Sequence, residues 1–362
     1  MILPSVMPDE FSRSLLSRMC VLNGVYAPDA LMPDLASLFG PSSNAGHKPA
    51  WSDLLASANR ISPQAFHARH TLLPFRRAIR PVADCTPFGS VRDLVETSAH
   101  RTCLDRQPLR LCPECATEDT RFWGFSYWRR SHQLYGTALC QKHQVGLLEV
   151  TASSWRTLPH DAISASTAID VAITREAKRN PVIQRYTEIS AGLAERTQPV
   201  STAWMVQVLK QRIQSHHAAS GRRARRLTDI AADMIQGPWQ KRFFPELDMV
   251  GGQQNGLDRT CSSVRLGYST QFYALALAVL FDCPDNAMNE VNSAVMDTFM
   301  KEAIPMSKGQ DTRPTGLPAA AQSFFGGATI TDAARSHGIE ASQLEELLRS
   351  AAAHLTRMMV FR

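Results

Sequence analysis

Two short metal-binding turns constrain this sequence more than any other feature. The first is Cys112-Pro-Glu-Cys115, and the second, after twenty-four residues, is Cys140-Gln-Lys-His143. Each turn can place two ligands on one cation with little strain, and together they supply the three thiolates and one imidazole that suit tetrahedral zinc. Because four protein ligands leave no open coordination position, we predict that Cys112, Cys115, Cys140 and His143 form a structural zinc site and not a catalytic one.

A third pair, His100 and Cys103, lies eight residues before the first turn and could compete for the ion or form a second site. Its surroundings lack the proline-containing turn, so we expect one zinc ion per chain. The eight cysteines are spread from Cys20 to Cys283 in a chain of 362 residues, which argues against a disulfide framework. No segment resembles a signal peptide or a membrane span. We therefore expect a cytoplasmic protein.

Helical periodicity runs through most of the sequence but fails over residues 101–150. Asp9 and Ser62 are candidate helix caps, and Gly40 should end a helix. Later helical patterns are predicted at Asp170–Arg196, Thr202–His216, Leu227–Ile235, Tyr268–Phe281 and Ala287–Ala303. We predict a mostly α fold, with helix-turn-helix units flanking a small zinc-ribbon module. The domain boundaries follow as 1–98 (helical), 99–150 (zinc ribbon), 151–318 (helical) and 319–362 (helix-turn-helix-like).

An aromatic run lies between the two metal-binding turns. Five of the seven residues from Phe122 to Trp128 are aromatic, against 7% of the whole chain. Because a zinc ribbon has little core of its own, we expect most of these rings to pack around the turns. Arg129 and Arg130, which follow the run, are then candidates for contact with nucleic acid or a partner protein.

A basic segment lacks any compensating acid between Val208 and Leu227. Its six cations are Lys210, Arg212, Arg222, Arg223, Arg225 and Arg226. They could form a solvated connection between helices, or they could bind phosphates without sequence preference. The chain carries 39 basic and 33 acidic residues, a modest excess that matters only where it is clustered.

A second candidate binding element has helix-turn-helix spacing and runs from Thr329 to Arg349. Thr329 can cap the first helix and Gly338 can make the turn. Glu345 and Glu346 lie on the second helix and would repel DNA phosphates, so docking to a protein is the better use. No phosphate-binding loop, His-Glu-x-x-His motif or carboxylate pair supports an enzyme.

The motifs around the metal-binding turns resemble a known family. Leu111-Cys-Pro-Glu-Cys-Ala-Thr-Glu-Asp119, Tyr127-Trp-Arg-Arg-Ser-His-Gln-Leu134 and Cys140-Gln-Lys-His143 are similar to the signature of the TniQ/TnsD family of transposition target-selection proteins. Glu10–Arg18, followed by Asn23-Gly24, looks like the opening helix of that family. A second cysteine turn, frequent in the family after the Cys-x-x-His, is absent, since no cysteine occurs between residues 140 and 261.

The resemblance implies a non-enzymatic target selector of Tn-seven-like or CRISPR-associated transposons. Such a protein recognises target DNA directly, or through an RNA-guided CRISPR Cascade-type complex, and recruits a TnsC-like AAA+ ATPase. A nucleoid-associated location follows from that role, and a homodimer is left open. One alternative is a transcription regulator that acts alone through a zinc ribbon and helix-turn-helix units. Another is a metalloenzyme such as a nuclease, although four protein ligands on the metal argue against it.

Overall fold

The computed structural model describes residues 1–40, 51–81, 108–150, 157–220, 225–248, 256–262, 268–303 and 329–345, with residues 320, 323 and 348. The fold is mostly helical, as the sequence predicted. The α-helices are α1 Ser12–Leu22, α2 Met32–Phe39, α3 Trp51–Ala58, α4 Pro63–His70, α5 Leu73–Arg76, α6 Pro113–Trp123, α7 Pro159–Ala162, α8 Val171–Arg179, α9 Pro181–Ala194, α10 Thr202–Ser220, α11 Leu227–Met234, α12 Pro238–Phe243, α13 Gly256–Arg259, α14 Thr270–Leu280, α15 Pro284–Ala303 and α16 Ile330–Ser336.

The strands of the described residues are short and form two small sheets. They are β1 Ile79–Arg80, β2 Leu109–Leu111, β3 Leu148–Val150, β4 Thr167–Ala168 and β5 Val200–Ser201. Strand β1 pairs in parallel with β5, and β2, β3 and β4 form an antiparallel sheet in that order. In the antiparallel sheet Leu111 lies opposite Leu148. The residues that flank the two metal-binding turns are thereby held next to each other.

The first four helices pack around one apolar core. Its fully buried members include Leu15 of α1, Leu35 of α2, Leu55 of α3 and Phe66 of α4. These residues recur at helical spacing on the inner face of each helix, so burial of one face drives the packing. The predicted end of α2 at Gly40 and the predicted cap of α4 by Ser62 are confirmed.

The predicted helix cap at Asp9 is wrong. Helix α1 begins after Phe11 without a side-chain cap. Asp9 has φ +54° and accepts a hydrogen bond from Ser131 Oγ at 2.6 Å, while its carbonyl oxygen accepts from Arg130 N–H at 2.8 Å. This carboxylate therefore joins distant segments, and sequence spacing alone cannot reveal such a partner.

Two further helix predictions needed correction. Residues 113–123, expected to lack helical structure, form α6, which starts at Pro113 and ends at Gly124 with φ +78°. The pattern Asp170–Arg196 forms two helices because Pro181 disfavours helical geometry at Asn180 and lacks an N–H group. The Asn180 side chain then accepts from Val182 N–H at 2.9 Å and caps α9.

An aromatic cluster connects the later helices to the metal-binding segment. Tyr186 of α9 and Trp239 of α12 lie edge to face, with ring centroids 5.3 Å apart. The Tyr186 hydroxyl donates to Tyr135 O at 2.9 Å, and Trp239 Nε1 donates to Gly136 O at 2.9 Å. A Cβ at Gly136, which has φ +78°, would come within 2.6 Å of the Tyr186 ring, so glycine is required there.

The contacts divide the chain into two compact units, Met1–Met288 and Asn289–Arg362. In the second unit Thr329 caps α16, Gly338 makes the following turn with φ +64°, and Ala333, Ala334 and Leu344 share a small core. The finer four-part division at residues 98, 150 and 318 stays a prediction. Among the described residues, no helix has both the length and the apolar character needed to cross a lipid bilayer.

Candidate metal centre

The four predicted ligands converge on one point. The Sγ atoms of Cys112, Cys115 and Cys140 and a ring nitrogen of His143 all lie within 4.8 Å of one another. His143 Nδ1 lies 3.4 Å from Cys112 Sγ, 3.3 Å from Cys115 Sγ and 3.7 Å from Cys140 Sγ, and the last two sulfurs are 3.7 Å apart. The sequence thus paired the two turns correctly.

These separations fit a tetrahedral metal site. Zinc–sulfur bonds of about 2.3 Å and zinc–nitrogen bonds of about 2.0 Å place tetrahedral ligand atoms roughly 3.5–3.8 Å apart. The observed distances of 3.3–3.7 Å need only small adjustments to reach that range. The three sulfurs are almost fully buried, and His143 is half-buried. The cluster could therefore hold a metal ion in a site closed by protein.

Local structure brings each ligand to this point. Cys112 follows β2 and is the N-cap of α6, where its Sγ accepts from Cys115 N–H at 3.5 Å. The second turn is closed by hydrogen bonds from Cys140 N–H to Val145 O and from Gln144 N–H to Cys140 O. Pairing of β2 with β3 then holds the ends of both turns together.

The pKa values of the clustered thiols depend on one another. Hydrogen bonds from Cys112 and Cys115 lower the pKa of the Cys140 thiol far below its ordinary value, and a hydrogen bond from His132 lowers it further. The hydrogen bonds that Cys115 forms with Cys112 and Cys140 raise its own pKa. A second thiolate beside Cys140 is thus unfavourable in the protein alone. A divalent cation would remove that penalty, because metal binding deprotonates the coordinating thiols.

Two residues outside the predicted ligand set support the cluster. Glu118 Oε1 lies 3.0 Å from His143 Nε2, so this carboxylate can hold the ring with Nδ1 facing the sulfurs. The Glu118 hydrogen bond also raises the pKa of His143. His132 is buried and reaches Cys140. Sequence reasoning missed both, although Glu118 lies three residues after Cys115 and shares its helix face.

The arginines proposed for external contacts lie within the fold. Arg129 pairs with the buried Asp119 at 2.7 Å and covers the Tyr127 ring at 4.7 Å. Arg130 is buried and donates to Ala68 O at 2.5 Å. Their predicted contact with nucleic acid or a partner stays a prediction, but the structure gives both an intramolecular role.

The aromatic run divides into buried and exposed rings. Trp128 is 1% exposed, and its backbone N–H donates to Ser14 Oγ in α1 at 2.9 Å. Phe122 and Trp123, at the end of α6, are 76% and 48% exposed and contact each other edge to face at 4.5 Å. Packing therefore leaves one adjacent aromatic pair on the surface, beside the metal centre.

The basic segment is only partly described. Lys210 is exposed on α10, and Arg212 covers the Phe281 ring at 4.3 Å. Arg225 pairs with Asp233 at 2.7 Å and Arg226 with Asp229 at 3.7 Å. Arg222 and Arg223 lie outside the described residues, as do His100 and Cys103. A phosphate-binding role for the segment stays a prediction.

Fold and site together define a mostly helical protein with a Cys3His cluster that could hold a metal ion. The TniQ family model matches residues 1–147, which contain the N-terminal helices and all four ligands, so the family resemblance is confirmed. TniQ is a family of non-catalytic proteins with a transposition-associated targeting role. No curated protein matches the chain significantly.

Proposed function

We propose that this protein is a targeting adaptor of DNA transposition. It links target DNA, or an RNA-guided CRISPR effector complex, to an AAA+ transposition regulator. The family match over residues 1–147, with a closed ligand cluster inside the matched region, carries this proposal. An adaptor needs binding surfaces and no reaction centre, which agrees with a site whose four ligands are all supplied by protein.

Zinc is the metal we assign to Cys112, Cys115, Cys140 and His143. Three thiolates and one imidazole at tetrahedral separations favour zinc over harder cations such as magnesium or calcium. The ion would stabilise the segment that joins α6 to the N-terminal helices. Through Trp128 and Ser14 that segment is hydrogen-bonded to α1, so the metal would also hold the N-terminal helices in position.

We propose the exposed pair Phe122 and Trp123 as the contact with the ATPase. Aromatic residues next to arginine are the side chains that contribute most to protein interfaces, and exposed Arg121 precedes this pair. The surrounding charges include Glu118, which pairs with Lys142, so this face has no excess of cations to attract nucleic acid. The acidic C-terminal helix-turn-helix-like unit is the alternative surface for the contact with the ATPase.

Nucleic acid contact is assigned to the basic segment. Neutralising Arg222, Arg223, Arg225 and Arg226 should reduce the slope of affinity against salt by up to about four units for duplex DNA. The slope should change by about two units if the pairs of Arg225 and Arg226 with their aspartates persist in the complex. An unchanged slope would mean that these arginines do not contact phosphates and that the segment is a solvated connection between helices.

The decisive experiment measures association with a TnsC-like AAA+ ATPase. Purified zinc-loaded protein is mixed with the ATPase, ATP and target DNA, and the complex is followed by native mass spectrometry. The Phe122→Ala/Trp123→Ala variant should lose the complex. A control variant, Tyr26→Ala, removes a ring that is 81% exposed elsewhere and should retain it.

The same experiment separates the adaptor from a transcription regulator. A regulator needs only its operator and RNA polymerase. Tight, sequence-specific binding of a promoter by the protein alone, without association with the ATPase, would favour the regulator. Association that survives neutralisation of the basic segment but not disruption of the zinc site would place the ATPase contact near residues 112–143.

A further inference from the structure

An open groove of about 800 Å3 lies away from the metal centre, between the end of α8, the start of α9 and the turn that joins α11 to α12. Its floor is apolar and includes Val182, Pro181, Pro238 and Met234. Met234 is 39% exposed and gives the groove an apolar surface that a ligand can contact.

Three arginines line this groove, and we call it the arginine groove. Arg175 and Arg179 are exposed and separated by one helical turn on α8. Within the described parts of the chain, neither forms an ion pair or a hydrogen bond. Arg185 donates Nε–H to Ala278 O at 3.0 Å. The groove therefore presents guanidinium groups that have no carboxylate partner in the part of the chain that the structure describes.

Two of the nearby acids accept hydrogen bonds from backbone groups. Asp170 caps α8 by accepting from Ala172 N–H at 2.7 Å, and Glu176 Oε2 accepts from Trp239 N–H at 2.8 Å. Exposed Asp282 also lines the groove. Around α8 the cations Arg175, Lys178 and Arg179 outnumber the acids Asp170 and Glu176, and both acids accept backbone hydrogen bonds.

Apolar surface and cations together indicate what kind of ligand fits. A phosphodiester backbone offers acceptors for the arginines but no aliphatic side chain for the apolar floor, whereas an acidic peptide offers both. Glu176 Oε1, which has no hydrogen-bond partner among the described residues, is buried and out of reach of a ligand in the groove.

We propose that the arginine groove binds an acidic peptide segment of a partner protein. Carboxylates of the segment pair with Arg175 and Arg179, and an aliphatic side chain packs on Met234 beside Pro238. The site is separate from the metal centre and from the exposed pair Phe122 and Trp123. It therefore gives the protein a further docking surface.

The test uses the zinc-loaded full chain and a fluorescein-labelled peptide, Asp-Glu-Leu-Glu-Asp-Leu-Glu-Glu, followed by fluorescence anisotropy. The Arg175→Gln/Arg179→Gln variant should weaken binding about tenfold, because two carboxylate pairs are lost. The control, Arg69→Gln/Arg259→Gln, removes two exposed arginines that also lie in the last turns of helices. It should bind as the wild-type protein does.

Two altered peptides test the chemistry of recognition. Replacing the acids by Asn and Gln should abolish binding, and replacing the leucines by serines should weaken it. Absence of saturable binding, equal binding of the uncharged peptide, or equal loss in the control variant would overturn the proposal. Competition by duplex DNA that depends on Arg175 and Arg179 would also overturn it, because the groove would then be a nucleic-acid site.

Discussion

Removal of the Glu118 carboxylate should weaken metal binding without removing any ligand. Glu118 Oε1 lies 3.0 Å from His143 Nε2 and restricts the ring to the orientation in which Nδ1 faces the three sulfurs. Loss of such an outer contact costs roughly tenfold to a hundredfold in metal affinity. Because Glu118 is 48% exposed and shared with Lys142, we expect the lower end for Glu118→Ala, a loss of about tenfold.

The conservative variant Glu118→Gln should lose less. Its amide oxygen can still accept from His143, but a neutral acceptor is about half as strong as a charged one. The expected loss is therefore about threefold. The control is Glu114→Ala, which removes another exposed carboxylate from α6, one turn closer to its start. It should leave metal affinity unchanged.

The assay is competition for zinc with a chromophoric chelator, repeated with cobalt so that the absorption bands report the ligand geometry. Glu118→Ala should also alter the cobalt spectrum, because the imidazole gains freedom to rotate. Wild-type affinity and an unaltered spectrum in Glu118→Ala would refute the reasoning. An equal loss in Glu114→Ala would refute it too, since net charge would then explain the effect.

Three further predictions concern metal content and stability. Wild-type protein should carry one zinc per chain, and Cys115→Ser should lose it and melt at a lower temperature; equal metal content by mass spectrometry would disprove the ligand assignment. Trp128→Ala should lower the free energy of unfolding by about 3–5 kcal/mol in urea denaturation, whereas Trp123→Ala should change it by under about 0.5 kcal/mol. Burial raises the pKa of Glu10 from 4.5 to about 7 despite its pairing with Arg18. The native state then holds a proton that the unfolded chain releases, so stability should fall as pH rises from about 4.5 to 7, by about 3 kcal/mol. Glu10→Gln should remove this pH dependence of stability. Denaturation curves of the wild-type protein and the variant between about pH 4.5 and 7 test this, and an equal dependence in the variant would contradict it.

The tertiary structure explains the roles of Gln133 and Arg110, which lie near the metal centre in the sequence. Gln133 accepts from Arg110 N–H at 3.0 Å and donates to Arg110 O at 2.7 Å, so it fastens β2 to the turn after Trp128. Fully buried Arg110 in turn donates to Thr137 O at 2.8 Å. These side chains satisfy backbone groups of a module too small to bury them in regular structure.

The sequence alone predicted which four side chains come together, the resemblance to the TniQ family and most helices. Thiolate and imidazole chemistry restricts the cation, and the spacing within each turn restricts the geometry, so Cys112, Cys115, Cys140 and His143 could be paired without coordinates. Helices such as α2 and α14 follow from periodicity and capping, which are local properties. The break between α8 and α9 at Pro181 also follows from a local property of the sequence, but the sequence analysis did not predict it.

Only the tertiary structure decided which polar and aromatic side chains face solvent. The sequence indicated no intramolecular partner for Arg129 or Arg130, but Arg129 pairs with Asp119 and Arg130 donates to Ala68 O. Arg175, in contrast, is next to Glu176 in the sequence and forms no ion pair among the described residues. Likewise Trp128 is buried and Trp123 is exposed within one aromatic run. The partners of such residues lie far away along the chain, so no local pattern encodes them, and only packing selects which charges and rings remain available for binding.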